Sequence, residues 1–334
     1  MKFLLTTAVL AIAVITTGPV FAGPTENSED PGVALVRKLL SIPEGEIDFA
    51  QAKIAIDHLI DPSIDSAATL RQIDTWAAKV EVRFPSGATQ RRKLDLLIST
   101  LYEPGPWNDF RPFSYDLDDP LGQKMSNKLV SNYLASRKGQ CVSMPILFAI
   151  LGQKLGLPVT LATAPSHILV KYADVESGQW LNIEATAGGF KHDSSYERET
   201  HISPLAIKNR IYLRPLSKRE SVAVMAITLM EFNSEQGRPM PNFKIADLLL
   251  DVDPKNVAAM VVKSAAFYQV LDQRYKHRYP RVEQIPSAQM ADFVLLNQQH
   301  QSWGQGAEAL GWTPESSAQK TEYLNKMQTL RAQK

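Results

Sequence analysis

A single cysteine, Cys141, occurs in the 334 residues of this chain. An internal disulfide is thereby excluded, and with it the small exported folds stapled by several bridges. An excess of one charge is also missing, since 36 Lys and Arg stand against 35 Asp and Glu. Neither nucleic acid nor an anionic membrane surface is therefore expected as a charge-driven partner. There is no glycine-rich phosphate loop and no calcium-binding loop. His192 and His201 lie in a polar stretch without metal-ligand spacing, so neither a metal nor a cofactor is expected. Beyond the first two dozen residues, no apolar run is long enough to cross a bilayer.

What is present begins with a basic residue, Lys2, followed by the largely apolar stretch 3–20 and Val20-Phe21-Ala22 before Gly23. Small residues at the minus-three and minus-one positions make residues 1–22 a secretory signal peptide, with cleavage after Ala22 and a periplasmic or secreted location. No cysteine follows to carry a lipid anchor. Removing Lys2 leaves equal numbers of basic and acidic residues. The remainder is long enough for two modest domains. A free thiol in an oxidising compartment is exposed to oxidation, so Cys141 needs a reason: burial as a small hydrophobe, or chemistry.

Apolar spacing predicts helices over 31–41, 47–59, from Ser66 as N-cap onward, and 91–102, then a long ordered loop over 103–120. In the centre, 124–136 reads as an amphipathic helix and 141–155 as a second, apolar one, stopped by Gly156 and Pro158. Two strands follow, 167–172 and 180–185, joined by a turn through Ser177-Gly178. Beyond about Ser217 the chain reads as helical. The segment around 244–271 resembles a tetratricopeptide-type hairpin, without a recurring period.

Three residues in the centre combine chemically. Cys141 opens a helix, where free N–H groups and the positive end of the dipole favour a thiolate. His167 opens a strand and is the candidate base. Glu184 follows on the next strand, on the same face as Asn182, placed to orient the imidazole and stabilise its cation. Each has a plainer explanation on its own: a structural thiol, a surface histidine, a solvated strand-face carboxylate. Their order, one thiol at a helix start and then histidine and carboxylate on adjacent strands, is what points to nucleophilic catalysis.

Gly139-Gln140-Cys141 before an apolar helix, His167 heading a strand, and Trp180-Leu-Asn-Ile-Glu-Ala-Thr186 together resemble the transglutaminase-like core. The stretches 127–139, 149–158 and 165–170 resemble its bacterial SirB-type subfamily, which adds helices before the core and a tetratricopeptide-like tail. The resemblance spans roughly Glu44 to Leu271. It implies an α+β fold in which a helix bearing the cysteine packs on a small antiparallel sheet, as in papain and transglutaminases. N-terminal helices and a tetratricopeptide-like helical region would flank that core. The implied division is a signal peptide 1–22, an N-terminal segment 23–43, helices plus core 44–216, and a helical tail 217–334. It further implies a catalytic triad of Cys141, His167 and Glu184 acting on a peptide, isopeptide or amide bond. The superfamily's usual third residue is aspartate, and here it is Glu184. Two rival readings remain: a non-catalytic module whose C-terminal helices bind a protein partner, and a redox sensor built on the lone thiol.

Overall fold

The computed structural model describes residues 29–332; the signal segment 1–22 lies outside the described residues. Four helices lead: α1 (Pro31–Ser41), α2 (Phe49–Ile60), α3 (Ser66–Glu81) and α4 (Gln90–Tyr102). The N-cap of α3 is Asp65, whose carboxylate accepts from the Ala68 N–H, so Ser66 is its first helical residue rather than its cap. Short β1 (Ser114–Tyr115) follows within the expected loop, then α5 (Val130–Ser136) and short β2 (Lys138–Gly139), which pairs parallel to β1.

The single helix expected over 124–136 is two pieces, a 3-10 turn at Met125–Lys128 and α5. Leu129 between them is extended, and three buried hydrogen bonds hold the break. The Asn127 side chain donates to Asp116 and Asp119, and Asp57 Oδ2 accepts from the freed Val130 N–H at 2.8 Å. Asp57 comes from α2, where it also forms a fully buried ion pair with Lys53 at 2.8 Å. Burial raises the Asp57 pKa although Lys53 and the Val130 N–H oppose it.

Helix α6 (Ser143–Lys154) is buried on every side from Ser143 to Gly152, which is why its sequence is apolar all round rather than striped. A four-stranded antiparallel meander packs beside it: β3 (Val159–Ala164), β4 (His167–Asp174), β5 (Gln179–Glu184) and β6 (Gly189–Lys191), in that spatial order. Leu161, Val170, Tyr172 and Ile183 join the core that contains α6, while Ala162, Ala164 and Leu169 join a second cluster with Tyr196 and Met260. Both faces of the meander are thus covered, so β4 is a continuous buried run. The outer edge of β3 is shielded because Leu213 and Leu216 donate their N–H groups to Thr163 and Leu161.

Next come α7 (Asp193–Glu199), in the stretch expected to be a polar loop, and α8 (Pro204–Asn209). The tail holds α9 (Lys218–Glu235), α10 (Pro239–Val252), α11 (Val257–Leu271), α12 (Ser287–Ala309) and α13 (Ser317–Ala332). One hydrophobic cluster runs from Val33 through α6 to Ala259, so the first helices, the sheet and the tail share a core across residue 217. Helices α1 and α2 pack on α9, and α1 also packs on α10. The Glu44 carboxylate accepts from the first N–H groups of α9, at Lys218 and Arg219, where negative charge is favoured. Among the described residues no helix is long and apolar enough to cross a membrane.

Candidate active site

Cys141 sits in the turn just before α6, not inside the helix. The Met144 N–H reaches back to the Gln140 carbonyl at 3.0 Å, so the helical turn already begins under the thiol. The approach to this turn is tightly fixed. Gly139 lies in β2, where an added Cβ would come within 2.5 Å of the Tyr133 ring and 2.8 Å of Ser143 Oγ. The Gln140 N–H donates to Ser143 Oγ, which itself donates to the Asn127 carbonyl at 2.7 Å. The Gln140 amide nitrogen donates to the carbonyls of Asp116 and Asp119. Gln140 is therefore an anchor for the Cys141 turn. The N–H groups of Cys141 and Val142 find no acceptor among the described residues, as expected for the free end of a helix.

His167 opens β4 after the two-residue turn Pro165-Ser166. Ser166 has a φ of 53°, a left-handed conformation rare for a residue with a side chain. Its carbonyl accepts from the Cys141 thiol at 3.7 Å, so the turn places thiol and imidazole side by side. On its other side the ring is held by Glu184, with Nε2 to Oε2 at 2.8 Å. An ionised carboxylate only accepts, so Nε2 carries the proton and Nδ1 is left for the thiol. Burial works against a charged ring here. The Glu184 carboxylate and the Cys141 thiol outweigh it, and the His167 pKa is raised.

Glu184 is 5% exposed, so it is not a solvated strand-face carboxylate. Its Oε1 accepts from the N–H and hydroxyl of Thr186, at 3.1 and 2.6 Å. Oε2 accepts from His167 and from Tyr196 Oη at 2.9 Å. Lys191 Nζ lies 4.0 Å from Oε2. Burial alone would raise the carboxyl's pKa; the imidazolium and these donors reverse that and hold it well below the usual range. The turn after β5 needs Gly188, whose φ is +67° and whose added Cβ would lie 2.7 Å from Tyr102 Cβ.

Tyr196, Thr186 and Lys191 had not been singled out from sequence. Tyr196 is wholly buried on α7 with its ring centroid 5.9 Å from that of His167. Only its place in a Ser-Ser-Tyr-Glu-Arg stretch with helical character signals it. Asn182, on the same face of β5 as Glu184, is turned elsewhere and donates to the Lys191 carbonyl and to Asp193. A separate cleft of about 590 Å³, lined by Arg37, Leu40, Arg219, Leu248 and Asp251 among others, lies among α1, α9 and α10 and includes none of these residues.

The arrangement is a partly exposed thiol at a helix start, a base beside it and a carboxylate orienting the base. Residues 67–226 match the model of the transglutaminase-like superfamily. Among curated proteins, a UPF0162 protein of Buchnera aphidicola subsp. Schizaphis graminum is 28% identical over 228 residues, 66% of this chain and 80% of the relative. One from Buchnera aphidicola subsp. Acyrthosiphon pisum is 25% identical over 228 residues, with the same two shares. One from Pseudomonas aeruginosa is 23% identical over 227 residues, 68% of this chain and 78% of the relative. No solved structure matches the chain.

Proposed function

From the premise that this chain belongs to the transglutaminase-like superfamily, we propose that it is an exported thiol acyl-transfer enzyme that hydrolyses a peptide, isopeptide or side-chain amide bond. The observation that carries this reading is the His167–Glu184 contact at 2.8 Å beside the only thiol of the chain. With its proton held on Nδ1 of His167, whose pKa is raised, Cys141 Sγ attacks the carbonyl carbon. The backbone N–H groups of Cys141 and Val142 receive the developing oxyanion. When the C–N bond breaks, His167 returns the proton to the departing amine, leaving a thioester on Cys141. Water, deprotonated by His167, then attacks the thioester and releases acid and free thiol. An amine in place of water would give a cross-link; the superfamily's bacterial members favour water as the acceptor here.

Glu184 acts throughout as the partner of the imidazolium, and Thr186 and Tyr196 hold the carboxylate in place. Under this proposal the substrate is a peptide or protein, and the segment around α10 and α11 is a tetratricopeptide-like hairpin of the SirB-type subfamily. Export rests on residues 1–22. The expected mature protein begins near Gly23 and is found outside the cytoplasm, which intact-mass measurement of the exported protein tests. For the chemistry, an electrophilic activity probe is expected to label the wild type, to label His167→Ala far more slowly, and to leave Cys141→Ser unlabelled. Equal labelling of wild type and His167→Ala would remove the base from the mechanism and favour the redox-sensor reading.

A further inference from the structure

The last helix, α13, contributes no buried residue, yet it reaches both sides of the thiol site. On the cysteine side, Tyr323 Oη lies 2.8 Å from Tyr115 Oη and donates to the Pro120 carbonyl at 3.0 Å. Tyr115 belongs to β1 and is paired with Gly139, two residues before Cys141. Arg331 holds Asp118 of the same loop at 2.7 Å. On the histidine side, Lys326 holds Glu199 at 2.9 Å, and Glu199 in turn holds Lys191 at 3.2 Å, next to Glu184.

The helix phase agrees with a strap. At about 100° per residue, Lys326 stands roughly 60° to one side of Tyr323 and Arg331 roughly 80° to the other. Tyr323 and Met327 thus point down between two flanking cations, and both are partly buried. The Tyr323 phenol has its pKa raised, chiefly by burial, with Cys141 and Glu184 adding to it. The helix is tied to the body at Gly311, whose carbonyl accepts from Ser203 at 2.7 Å, and the stretch Thr313 to Ser317 after it is exposed. With no fully buried residue, α13 is held by these polar contacts and by the partly buried Tyr323, Leu324 and Met327, and an exposed connection allows it to leave.

We propose that α13 is an intramolecular cap beside Cys141 and His167, released when its two ion pairs and its tyrosine contact are broken. This rests on the reading of Cys141 as the reactive group, because the cap regulates access to that thiol. Each rim carboxylate keeps a partner on the body when α13 departs, Lys191 for Glu199 and Lys138 at 3.7 Å for Asp118. Opening therefore leaves no carboxylate of the rim without a cation, and the two ends of the transition are both electrostatically satisfied.

The test is the rate of Cys141 alkylation by iodoacetamide in the full chain, which needs no turnover and so is separable from the proposed hydrolysis. In the double variant Lys326→Glu with Arg331→Glu, the cap is repelled by Asp118 and Glu199. Alkylation should rise about five- to thirtyfold, the range that loss of a few weak polar contacts produces in a two-state opening. Raising salt from low to molar concentration should speed alkylation of the wild type and have little effect on the double variant. A second variant, Tyr323→Phe, removes only the hydroxyl contacts and should give a smaller rise of the same sign. Unchanged alkylation in the double variant, with an unchanged unfolding midpoint, would overturn the cap. A faster thiol in a chain that hydrolyses nothing would leave the cap standing and count against the enzyme.

Discussion

Tyr196 and His167 donate to the same oxygen of Glu184, at 2.9 and 2.8 Å. With Thr186 on the other oxygen, the carboxylate has four donors. Glutamine in its place offers one carbonyl oxygen and turns an amide donor toward groups that donate to the carboxylate. Glu184→Gln is expected to lower acyl transfer by about 10²–10⁴-fold, the usual worth of acid–base assistance. It should also lower stability by about 1–3 kcal/mol, because buried donors lose their acceptor. Glu184→Asp restores the superfamily's usual residue but shortens the reach, and should retain more activity than Glu184→Ala. Steady-state kinetics and urea unfolding of the three variants check this; three unchanged rates would remove Glu184 from the mechanism.

The same pair sets a pH window for stability. His167 is raised from 6.5 to about 10, so its contribution is full below pH 6.5 and is lost as the pH climbs through 10. Glu184 is lowered from 4.5 to about 2, so its contribution is full above pH 4.5 and is lost as the pH falls through 2. The difference in unfolding free energy between wild type and Glu184→Gln should therefore be largest and flat between about pH 4.5 and 6.5, and shrink on either side. Denaturant titrations across that range give the answer, and a difference independent of pH would show that the pair is not an ion pair.

Gly188 carries a conformational demand. Its φ of +67° and the close approach of Tyr102 leave no room for a side chain. Gly188→Ala should cost about 1–3 kcal/mol, as for other residues forced into the left-handed region. The turn also supplies the Thr186 donors, so acyl transfer should fall along with stability, whereas Gly156→Ala, with nothing within 4 Å, should affect stability alone.

Lys53 and Asp57 are buried charges whose worth lies in their mutual compensation. Lys53→Met leaves Asp57 alone in the core and should cost about 3–5 kcal/mol. Adding Asp57→Asn should recover much of that loss, since a neutral amide oxygen still accepts from the Val130 N–H. Thermal unfolding of the single and double variants measures the coupling.

The part of the site legible in the sequence was the part written in local pattern. Cys141 precedes an apolar run, His167 heads a β-type run, and alternation in 180–185 fixes the face of Glu184. The strand β3 escapes the sequence pattern because Ala162 and Ala164 weaken its strand signal, and its identity comes from pairing with β4. Helix 124–136 was read as continuous because its apolar spacing is unbroken. Asn127 breaks it through Asp116 and Asp119, 11 and 8 positions earlier, contacts that apolar spacing does not register. Tyr196 was hidden for the same reason, since its role exists only once α7 packs behind β5. The polar contacts of α13 likewise join residues far apart in the chain, 127 positions for Lys326 with Glu199 and 208 for Tyr115 with Tyr323.

The shared core has a consequence for how the protein comes into being. Asp30 pairs with Arg238, 208 positions later, and Glu44 caps α9 from 174 positions away. At about 5–20 residues per second, synthesis takes on the order of ten seconds or longer to deliver the partners of the first helices. Through that interval α1 lacks α9 and α10 and α2 lacks α9, so part of their apolar surface has no cover. A product truncated before α9 is therefore expected to be sticky and short-lived, a substrate for proteases, and thiol reactivity of the folded kind belongs only to chains that have been made nearly to their end.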